Sequence, residues 1–404
     1  MKKFFALMLA AALVLTILAG CGKTDAPATE STAAATEGAP AAADGAPAAV
    51  KIGTSGPLTG GAAVYGQAVR VGMEIAVEEI NEAAGDTGLK IDFQAQDDEH
   101  DGEKAFNCFN NLKDWGMQIF AGAVTTGPCL SIAPEAVNDQ IFMMTPSGSA
   151  EAIAMEGGNI YQMCFTDPNQ GAASAELIAA QMPDKTIGVI YDSSTDYSTG
   201  IWKSFQAKAA ELRLNVVESA VTSFTADSAS EMNTQLTKCK EAGCDLVFLP
   251  IYATEASVVL NNASSMGYAP DFLGCDGMDG ILSVECFDTS LAEGLIMMTP
   301  FAADAEDDAT KSFVAKYQEK TGGETPNQFA ADAYDVIYAI YAGCQAKGID
   351  GSTAPADACA MLMDYFSTAT FSGLTGADMT WDANGMVSKV PTAVEVVNGV
   401  YVKK

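Results

Sequence analysis

Residues 50 to 55, VKIGTS, form a short apolar run that leads, through a turn rich in glycine, into YGQAVRVGMEIAVEEINEAA at residues 65 to 84. In the second segment Val69, Met73 and Ile80 fall on one helical face, and glutamates cover the rest. A strand followed by an amphipathic helix is the repeating unit of parallel α/β sheets. This stretch therefore decides the fold class that we expect.

The same unit recurs along the chain. Further β-rich apolar runs lie at residues 89 to 95, 117 to 123, 141 to 146, 186 to 192, 214 to 221, 245 to 251 and 294 to 300, with helical patterns at 170 to 182, 198 to 213, 229 to 243 and 310 to 348. Apolar strands separated by amphipathic helices predict parallel sheets that are covered on both faces. The series breaks near CFTDPNQG (164 to 171), so we expect two doubly wound lobes with a ligand outside the carboxyl ends of the strands.

The N-terminus has the order of charge, apolar residues and small residues of a secretory signal peptide, MKKFFALMLAAALVLTILAG (1 to 20). Residues 21 to 49 are rich in Ala, Pro, Thr and acid and contain no aromatic residue, which predicts a disordered tether. The tetrapeptide LAGC, which ends at Cys21, resembles the lipobox of bacterial lipoproteins. That resemblance implies lipidation of Cys21 and an extracytoplasmic, membrane-anchored protein. The alternative is an ordinary secretion signal with an incidental cysteine.

Charge and cysteine content exclude some classes of function. Without residues 1 to 20 the chain has 19 Lys and Arg against 52 Asp and Glu, a net charge of −33. Such a charge repels phosphate backbones, which argues against nucleic-acid binding. The nine cysteines after Cys21 are odd in number and irregularly spaced, so we interpret them as small hydrophobes. Cys239 and Cys244 could form a pair or a metal clip, but packing is favoured because no His or second Cys pair lies nearby.

Signatures of catalysis are missing from the sequence: there is no Gly-x-Ser-x-Gly elbow, no glycine-rich phosphate loop and no His-Glu-x-x-His. The one histidine, His100, lies in the acidic segment QDDEHDGEK, and we interpret it as solvated rather than as a general base. The acids beside it, Asp97, Asp98, Glu99 and Asp101, lack EF-hand spacing, which favours a solvated turn over a cation site. We therefore expect no enzymatic activity, cofactor or metal.

Polar segments follow the predicted strand ends. They are Thr125-Thr126-Gly127, Ser147-Gly148-Ser149, Tyr197, Tyr252 and Asp276. Hydroxyls and backbone amides can donate to a carboxylate, an acid can accept from an ammonium group, and tyrosines can supply apolar walls with a polar rim. Each segment alone is more often a helix cap or a turn. Their shared position at strand ends indicates a binding site for a small polar solute.

Several segments together resemble the leucine/isoleucine/valine-binding-protein family, the solute-binding proteins of ABC importers. The likeness runs from about Lys51 to the C-terminus and includes IGTSGPLTGGAAVYGQAVRVGMEIAVEEINEAAG (52 to 85), DDE (97 to 99), MMTPSGSA (143 to 150), DYSTG (196 to 200) and TWDANG (380 to 385). The resemblance implies the type I periplasmic-binding-protein fold, an α/β fold of two Rossmann-like lobes with parallel sheets and three interlobe crossovers. Lobe 1 would comprise residues 50 to 167 plus about 301 to 388, and lobe 2 residues 168 to 300 plus about 389 to 404.

The resemblance also implies roles for individual residues. Thr126 and Ser149 match hydroxyl residues that hold the α-carboxylate and α-amino groups, and Asp276 matches the acid that receives the ammonium group. The backbone around Val124, Thr125, Ser147, Gly148 and Gly277 assists, Tyr65, Tyr197 and Tyr252 match aromatic walls, and Asp167 matches an acid at the first crossover. The family's disulfide of the amino-terminal lobe is lost here, since His100 and Thr125 stand near the expected cysteines.

We therefore expect a monomeric, membrane-tethered receptor outside the cytoplasm. It would capture a small zwitterion, an amino acid of the branched-chain type, and deliver it to the permease subunits of an ABC importer. The alternatives are a binding protein for another small solute, such as an amide, urea or an aromatic acid, and a sensor subunit that presents its ligand to a receptor. A secreted hydrolase is a third class, which turnover of a bound ligand would support.

Overall fold

A computed structural model describes residues 46–404 of the chain. The predicted signal peptide, Cys21 and the tether as far as residue 45 lie outside the described residues. At the end of the predicted tether, the carbonyl of Ala48 accepts a hydrogen bond of 2.8 Å from the N–H of Gly351. Within residues 46–404, no helix has the length and apolar character needed to cross a bilayer.

The first sheet has five parallel strands in the order β2-β1-β3-β4-β5. Its strands are β1 (Val50–Gly56), β2 (Ile91–Asp97), β3 (Ile119–Phe120), β4 (Phe142–Thr145) and β5 (Ile160–Gln162), and the helices between them are α1 (Ala63–Ala84), α2 (Gly102–Trp115), α3 (Thr126–Asn138) and α4 (Glu151–Met155). The four strands predicted in this region are confirmed. The three-residue strand β5 was not predicted.

The second sheet begins with five parallel strands in the order β10-β9-β8-β6-β7. These are β6 (Thr186–Asp192), β7 (Asn215–Phe224), β8 (Leu246–Leu249), β9 (Asp271–Gly274) and β10 (Ile296–Thr299), and the helices are α5 (Asp167–Gln181), α6 (Asp196–Leu212), α7 (Asn233–Glu241) and α8 (Ala253–Ser265). Each sheet thus places its first strand between its second and third. In such sheets ligands bind beside the carboxyl ends, where the strand order reverses.

The C-terminal part of the chain adds helices to the first lobe and strands to the second sheet. It forms α9 (Asp308–Thr321), α10 (Gln328–Lys347), α11 (Pro355–Phe366) and the hairpin β11 (Phe371–Gly373) with β12 (Gly376–Met379), followed by β13 (Thr392–Val397) and β14 (Val400–Lys403). Helix α10 packs on α1, and α11 packs on β3 and β4 of the first sheet. Strands β13 and β14 extend the second sheet as antiparallel strands beside β10.

The chain therefore passes between the two lobes three times, after β5, after β10 and before β13. The α/β fold of two lobes with parallel sheets is confirmed. The boundaries between residues 167 and 168, near 300 and near 388 stay a prediction.

Helix α1 shows how the opening segment holds the fold together. Val69, Met73 and Ile80 are buried, as the sequence pattern predicts. On the same helix, a Cβ atom on Gly72 would lie 2.1 Å from the carbonyl oxygen of Ala330, so glycine is what permits α1 and α10 to approach each other. This close approach positions the N-terminal end of α10 beside the space between the lobes.

The nine cysteines of the described residues carry free thiols, and eight of them are buried. Cys239 and Cys244 lie in the core, where both sulfur atoms approach Gly188. This packing agrees with the interpretation of these residues as small hydrophobes.

Candidate functional site

A small cavity, with about 240 Å³ of empty space that includes open solvent, lies where the carboxyl ends of the two sheets face each other. We call it the inner cavity. Its lining segments follow β1, β3 and β4 of the first sheet and β6, β8 and β9 of the second. The lining residues are Tyr65, Val124, Thr125, Ser147, Tyr197, Tyr252, Asp276 and Gly277, together with Phe329 from α10. Eight of the twelve residues that the sequence predicts for a binding site thus meet here.

A second space of about 510 Å³ adjoins the inner cavity and shares Tyr197 and Tyr252 with it. We call it the outer cavity. Its other lining residues are His100, Gly102, Thr126, Gly127, Pro128, Ser131, Ser194, Thr195 and Asp196. No lysine or arginine lines either cavity, so the carboxylates of Asp196 and Asp276 have no permanently charged cation beside them there.

Asp276 follows β9 and is 2% exposed. Its Oδ1 accepts a hydrogen bond of 2.7 Å from the Tyr197 hydroxyl, and its backbone N–H donates to Oε1 of Gln170 at 3.1 Å. Burial raises the pKa of the Asp276 carboxyl to about 6, although hydrogen bonds from Tyr197 and neighbouring groups oppose that shift. At neutral pH this carboxylate is a buried negative charge at the edge of a cavity, which is where a cationic group is bound most strongly.

Aromatic rings form the walls of the inner cavity. The rings of Tyr197 and Tyr252 stack with centroids 4.5 Å apart and an interplanar angle of 6°. Tyr65 lies 5.4 Å from Tyr252 and meets the edge of Phe329 at 4.9 Å. The three predicted tyrosine walls are therefore together, and Phe329 completes the enclosure.

The hydroxyl of Tyr65 also joins the two lobes. It donates to the carbonyl of Gly277 at 2.5 Å and accepts from the N–H of Ala253 at 2.8 Å. Nearby, the Thr254 hydroxyl donates to the carbonyl of Gly61 at 2.7 Å. The segment after β1 is thus bonded to the N-terminal end of α8 across the space between the lobes.

The hydroxyl residues of the first lobe differ in whether their side chains already have hydrogen-bond partners within the protein. Ser147 Oγ donates to the carbonyl of Val124 at 2.6 Å, and Thr125 Oγ1 lies 2.8 Å from His100 Nδ1. Thr126 opens α3 and lines the outer cavity, and its buried Oγ1 has no hydrogen-bond partner among the described residues. The free N–H groups at the start of a helix, together with this hydroxyl, favour an anion.

Three predicted site residues lie behind the cavities and line neither. Gly148 N–H donates to Thr145 Oγ1 at 2.8 Å. Ser149 Oγ and Asp167 Oδ2 are buried without a partner among the described residues. Burial raises the pKa of Asp167 well above its usual value, and Gln170 connects this acid to Asp276, because its Nε2 donates to Asp167 Oδ1 at 3.3 Å.

The interpretation of the loop after β2 as fully solvated is wrong for two residues. Asp98 is completely buried, with its Oδ1 accepting from the N–H of His100 at 3.0 Å, and burial raises its pKa to about 6. His100 lines the outer cavity, and its ring meets the edge of Tyr252 at 5.5 Å. Burial lowers the pKa of His100. The loop folds back because Glu99 and His100 adopt positive φ angles of 51° and 63°.

Across residues 46–404, no group of three or more His, Cys, Asp or Glu side chains is arranged to hold a metal ion.

Comparison with known proteins identifies the family. The sequence model of the periplasmic binding protein family matches residues 49–399. The chain belongs to the periplasmic binding protein family. The leucine-, isoleucine-, valine-, threonine-, and alanine-binding protein of Pseudomonas aeruginosa is similar to it, with 27% identity over 74% of this chain and 79% of that protein.

Solved structures of periplasmic binding proteins share the architecture. The branched-chain amino acid transporter substrate-binding protein LivJ of Streptococcus pneumoniae, in complex with isoleucine, matches with a TM-score of 0.76 and 25% identity over 88% of this chain and 99% of that chain. The leucine-binding protein LivK of Thermotoga maritima matches with a TM-score of 0.77 and 25% identity over 88% and 97%. A Rhodopseudomonas palustris solute-binding protein in complex with benzoate has the same fold at 19% identity, with a TM-score of 0.75 over 88% and 95%.

Sequence reasoning missed Phe329, Gln170 and the position of His100. Phe329 lies on α10, which follows a helix, and Gln170 lies on α5 after β5, the strand that was not predicted. The rule that located the other residues after predicted strands therefore does not apply to them. One signal was available for Phe329: Asn327 caps α10 by accepting from the N–H of Ala330, which fixes where the helix starts.

Proposed function

We propose that this member of the periplasmic binding protein family is the extracytoplasmic solute receptor of an ABC importer, and that its solute is an α-amino acid of the branched-chain type. The observation that carries the proposal is Asp276, a buried carboxylate beside a small cavity that no basic side chain lines. The ammonium group of an amino acid supplies the positive charge that would pair with this carboxylate. Relatives named for leucine, isoleucine and valine support the same class of solute.

The solute's carboxylate is assigned to the start of α3. Thr126 offers a buried hydroxyl without a partner and the helix offers its first-turn N–H groups, so an anion there gains donors and a favourable dipole. Ser149 and the backbone around Ser147 and Gly148 hold this edge of the site. Tyr65, Tyr197 and Tyr252 enclose the solute, while Asp167 acts on Asp276 through Gln170.

The charges of the cavities separate this proposal from an aromatic-acid receptor. A benzoate-like solute has a carboxylate but no ammonium group, so Asp276 would repel it and no Lys or Arg of the two cavities would offset the repulsion. An amino acid carries both charges and satisfies both ends of the site. The charges therefore favour the amino acid.

Binding and closure are coupled in this account. Residues from both lobes line the inner cavity, so a solute makes its full set of contacts only when the lobes are together. Removal of water then strengthens the pairing of Asp276 with the ammonium group. A ligand that binds the closed form more tightly than the open form shifts the population to the closed form, which the permease subunits would recognise.

A thermal-shift screen of the twenty amino acids against residues 46–404 tests the proposal. We expect a small set of neutral amino acids to raise the melting temperature, and expect each to be recovered unchanged because no reaction takes place. The matched control is Asp276→Asn, which keeps the shape but removes the charge and should lose the response. A screen in which no amino acid stabilises the protein, or one in which a bound amino acid is consumed, contradicts the proposal.

We also propose that Cys21 carries the lipid that holds the receptor at the cell membrane. The supporting observation is its position directly after an apolar run that ends in LAG. Cys21→Ser should release the protein from membranes and leave its affinity for the solute unchanged, because the tether separates residue 21 from the binding domain. Fractionation of cells checks this, and full retention of the variant in the membrane fraction would refute the anchor.

A further inference from the structure

A polar pair of side chains stands where the inner and outer cavities meet. Thr125 lines the inner cavity and His100 lines the outer one, and Thr125 Oγ1 lies 2.8 Å from His100 Nδ1. The ring of His100 also meets the edge of Tyr252, which lines both cavities. A solute that occupies the inner cavity and extends outward would therefore pass this pair.

We propose that the His100–Thr125 pair recognises the side chain of the bound amino acid and favours one that carries a hydroxyl group. L-Threonine should then bind more tightly than L-valine, which has the same shape with a methyl group in place of the hydroxyl. This inference rests on the proposed function, since it takes the solute to be an α-amino acid. It deepens that proposal, because threonine shares the branched Cβ of valine and isoleucine but carries a hydroxyl there.

The pair can donate or accept a hydrogen bond. Burial lowers the pKa of His100, so at neutral pH its imidazole is neutral and has one protonated and one unprotonated nitrogen. If Nδ1 accepts the hydrogen bond from Thr125, Oγ1 of Thr125 keeps a lone pair that can accept from the solute. If Nδ1 donates, the hydroxyl of Thr125 keeps its proton and can donate to the solute. Either arrangement satisfies a solute hydroxyl.

Three other hydroxyls around the inner cavity have partners within the protein. The Tyr65 hydroxyl bonds Gly277 and Ala253, that of Tyr197 bonds Asp276, and Ser147 Oγ bonds the carbonyl of Val124. Thr125 differs because its partner is a histidine that can exchange roles. It can thus adapt to a solute without leaving a backbone group unpaired.

The apolar lining of the inner cavity is mostly aromatic, and the His100–Thr125 pair is polar. Val124 is the one aliphatic side chain among the residues that line the inner cavity. A methyl group placed against the His100–Thr125 pair would remove water from both polar groups without replacing a hydrogen bond. One additional hydrogen bond corresponds to an affinity ratio of about three to ten in favour of threonine.

Calorimetric titration of residues 46–404 with L-threonine and L-valine tests the inference. The wild type should bind threonine about threefold to tenfold more tightly. Thr125→Val and His100→Leu should each abolish or reverse that ratio. Ser131→Ala is the matched control, because Ser131 also lines the outer cavity but its Oγ donates to the carbonyl of Gly127, so the ratio should stay as in the wild type.

The outcomes separate this inference from the proposed function. A wild type that binds valine as tightly as threonine overturns the inference, and this result needs no variant to fold. A ratio that survives both Thr125→Val and His100→Leu also overturns it, as does binding of some other amino acid when neither of these two binds. If no amino acid binds at all, the proposed function itself fails.

Discussion

Asp276 is the residue on which the affinity for an amino acid should depend most. Asp276→Ala leaves the solute's ammonium group buried and unpaired, which should cost about 2 to 5 kcal/mol, or roughly thirtyfold to several thousandfold in affinity. Thr126→Ala should cost about 1 to 3 kcal/mol, because it removes one hydrogen bond from a charged group that keeps other donors. Ser149→Ala should cost less, because Ser149 lines neither cavity. Calorimetry on the three variants checks the order. An Asp276→Ala protein that binds like the wild type would contradict the amino-acid assignment.

The titration of Asp276 predicts a pH dependence of binding. Without solute its pKa is raised to about 6, and an ammonium partner favours the ionised form and so lowers that pKa in the complex. Protons therefore compete with the solute: the affinity should be constant above about pH 7 and fall as the pH drops through 6. Titrations from pH 5 to 8 measure this. In Asp276→Asn the weaker residual affinity should not show this fall, and an equal fall in both proteins would assign it to another group.

At the scale of elements, the N-terminal end of α8 is bonded to the segment after β1. Tyr65 supplies a hydroxyl to the N–H of Ala253, one of the first-turn donors that a helix cannot satisfy internally. The same hydroxyl donates to Gly277, so Tyr65→Phe removes two bonds that form only when the lobes are closed. We expect the affinity for every amino acid to weaken by one common factor, corresponding to about 1 to 3 kcal/mol.

Comparison of several solutes distinguishes this role from that of a simple cavity wall. If Tyr65 acts only through contact with the solute, Tyr65→Phe will lower the affinity for some amino acids and leave the affinity for others unchanged. Thr254→Val provides a second probe, since Thr254 lines neither cavity but bonds Gly61 across the lobes. Thr254→Val should lower the affinity for all solutes by a common factor that is smaller than that of Tyr65→Phe.

Apolar runs in the sequence predicted eight of the strands. Most of these strands are buried on both faces of a sheet, whereas β2 and β7 lie at sheet edges and are partly exposed. The strands β5 and β9 were missed because neither lies in a long apolar run: β5 reads IYQ after two glycines and an asparagine, and β9 reads DFLG. Strands β13 and β14 had an available signal, the Asn398-Gly399 turn between two apolar stretches, which is a strong indicator of a hairpin.

The candidate site was predictable where it depends on strand ends and not where it depends on tertiary contact. Thr125, Ser147, Tyr252 and Asp276 follow strands, and the structure brings them together. His100 looked solvated because its neighbours in the sequence are acidic, whereas the backbone turns back at Glu99 and leaves the ring half-buried beside the outer cavity.

At the scale of the whole molecule, the two lobes act through the space between them. Three passages of the chain join the lobes. The segments that line the inner cavity follow strands of both sheets, and the hydrogen bonds of the Tyr65 hydroxyl connect one lobe to the other. Such an arrangement is typical of hinge closure around a ligand. We expect the interlobe hydrogen bonds of Tyr65 and Thr254 to hold only part of the solute-free population closed, so that solute shifts the remainder to the closed form.

Small-angle scattering of residues 46–404 with and without the best amino acid of the screen tests this central claim most directly. The radius of gyration should fall at saturating solute, in the wild type and by more in Tyr65→Phe, which starts from a more open population. A scattering profile that saturating solute leaves unchanged in both proteins would contradict a receptor that closes around its ligand.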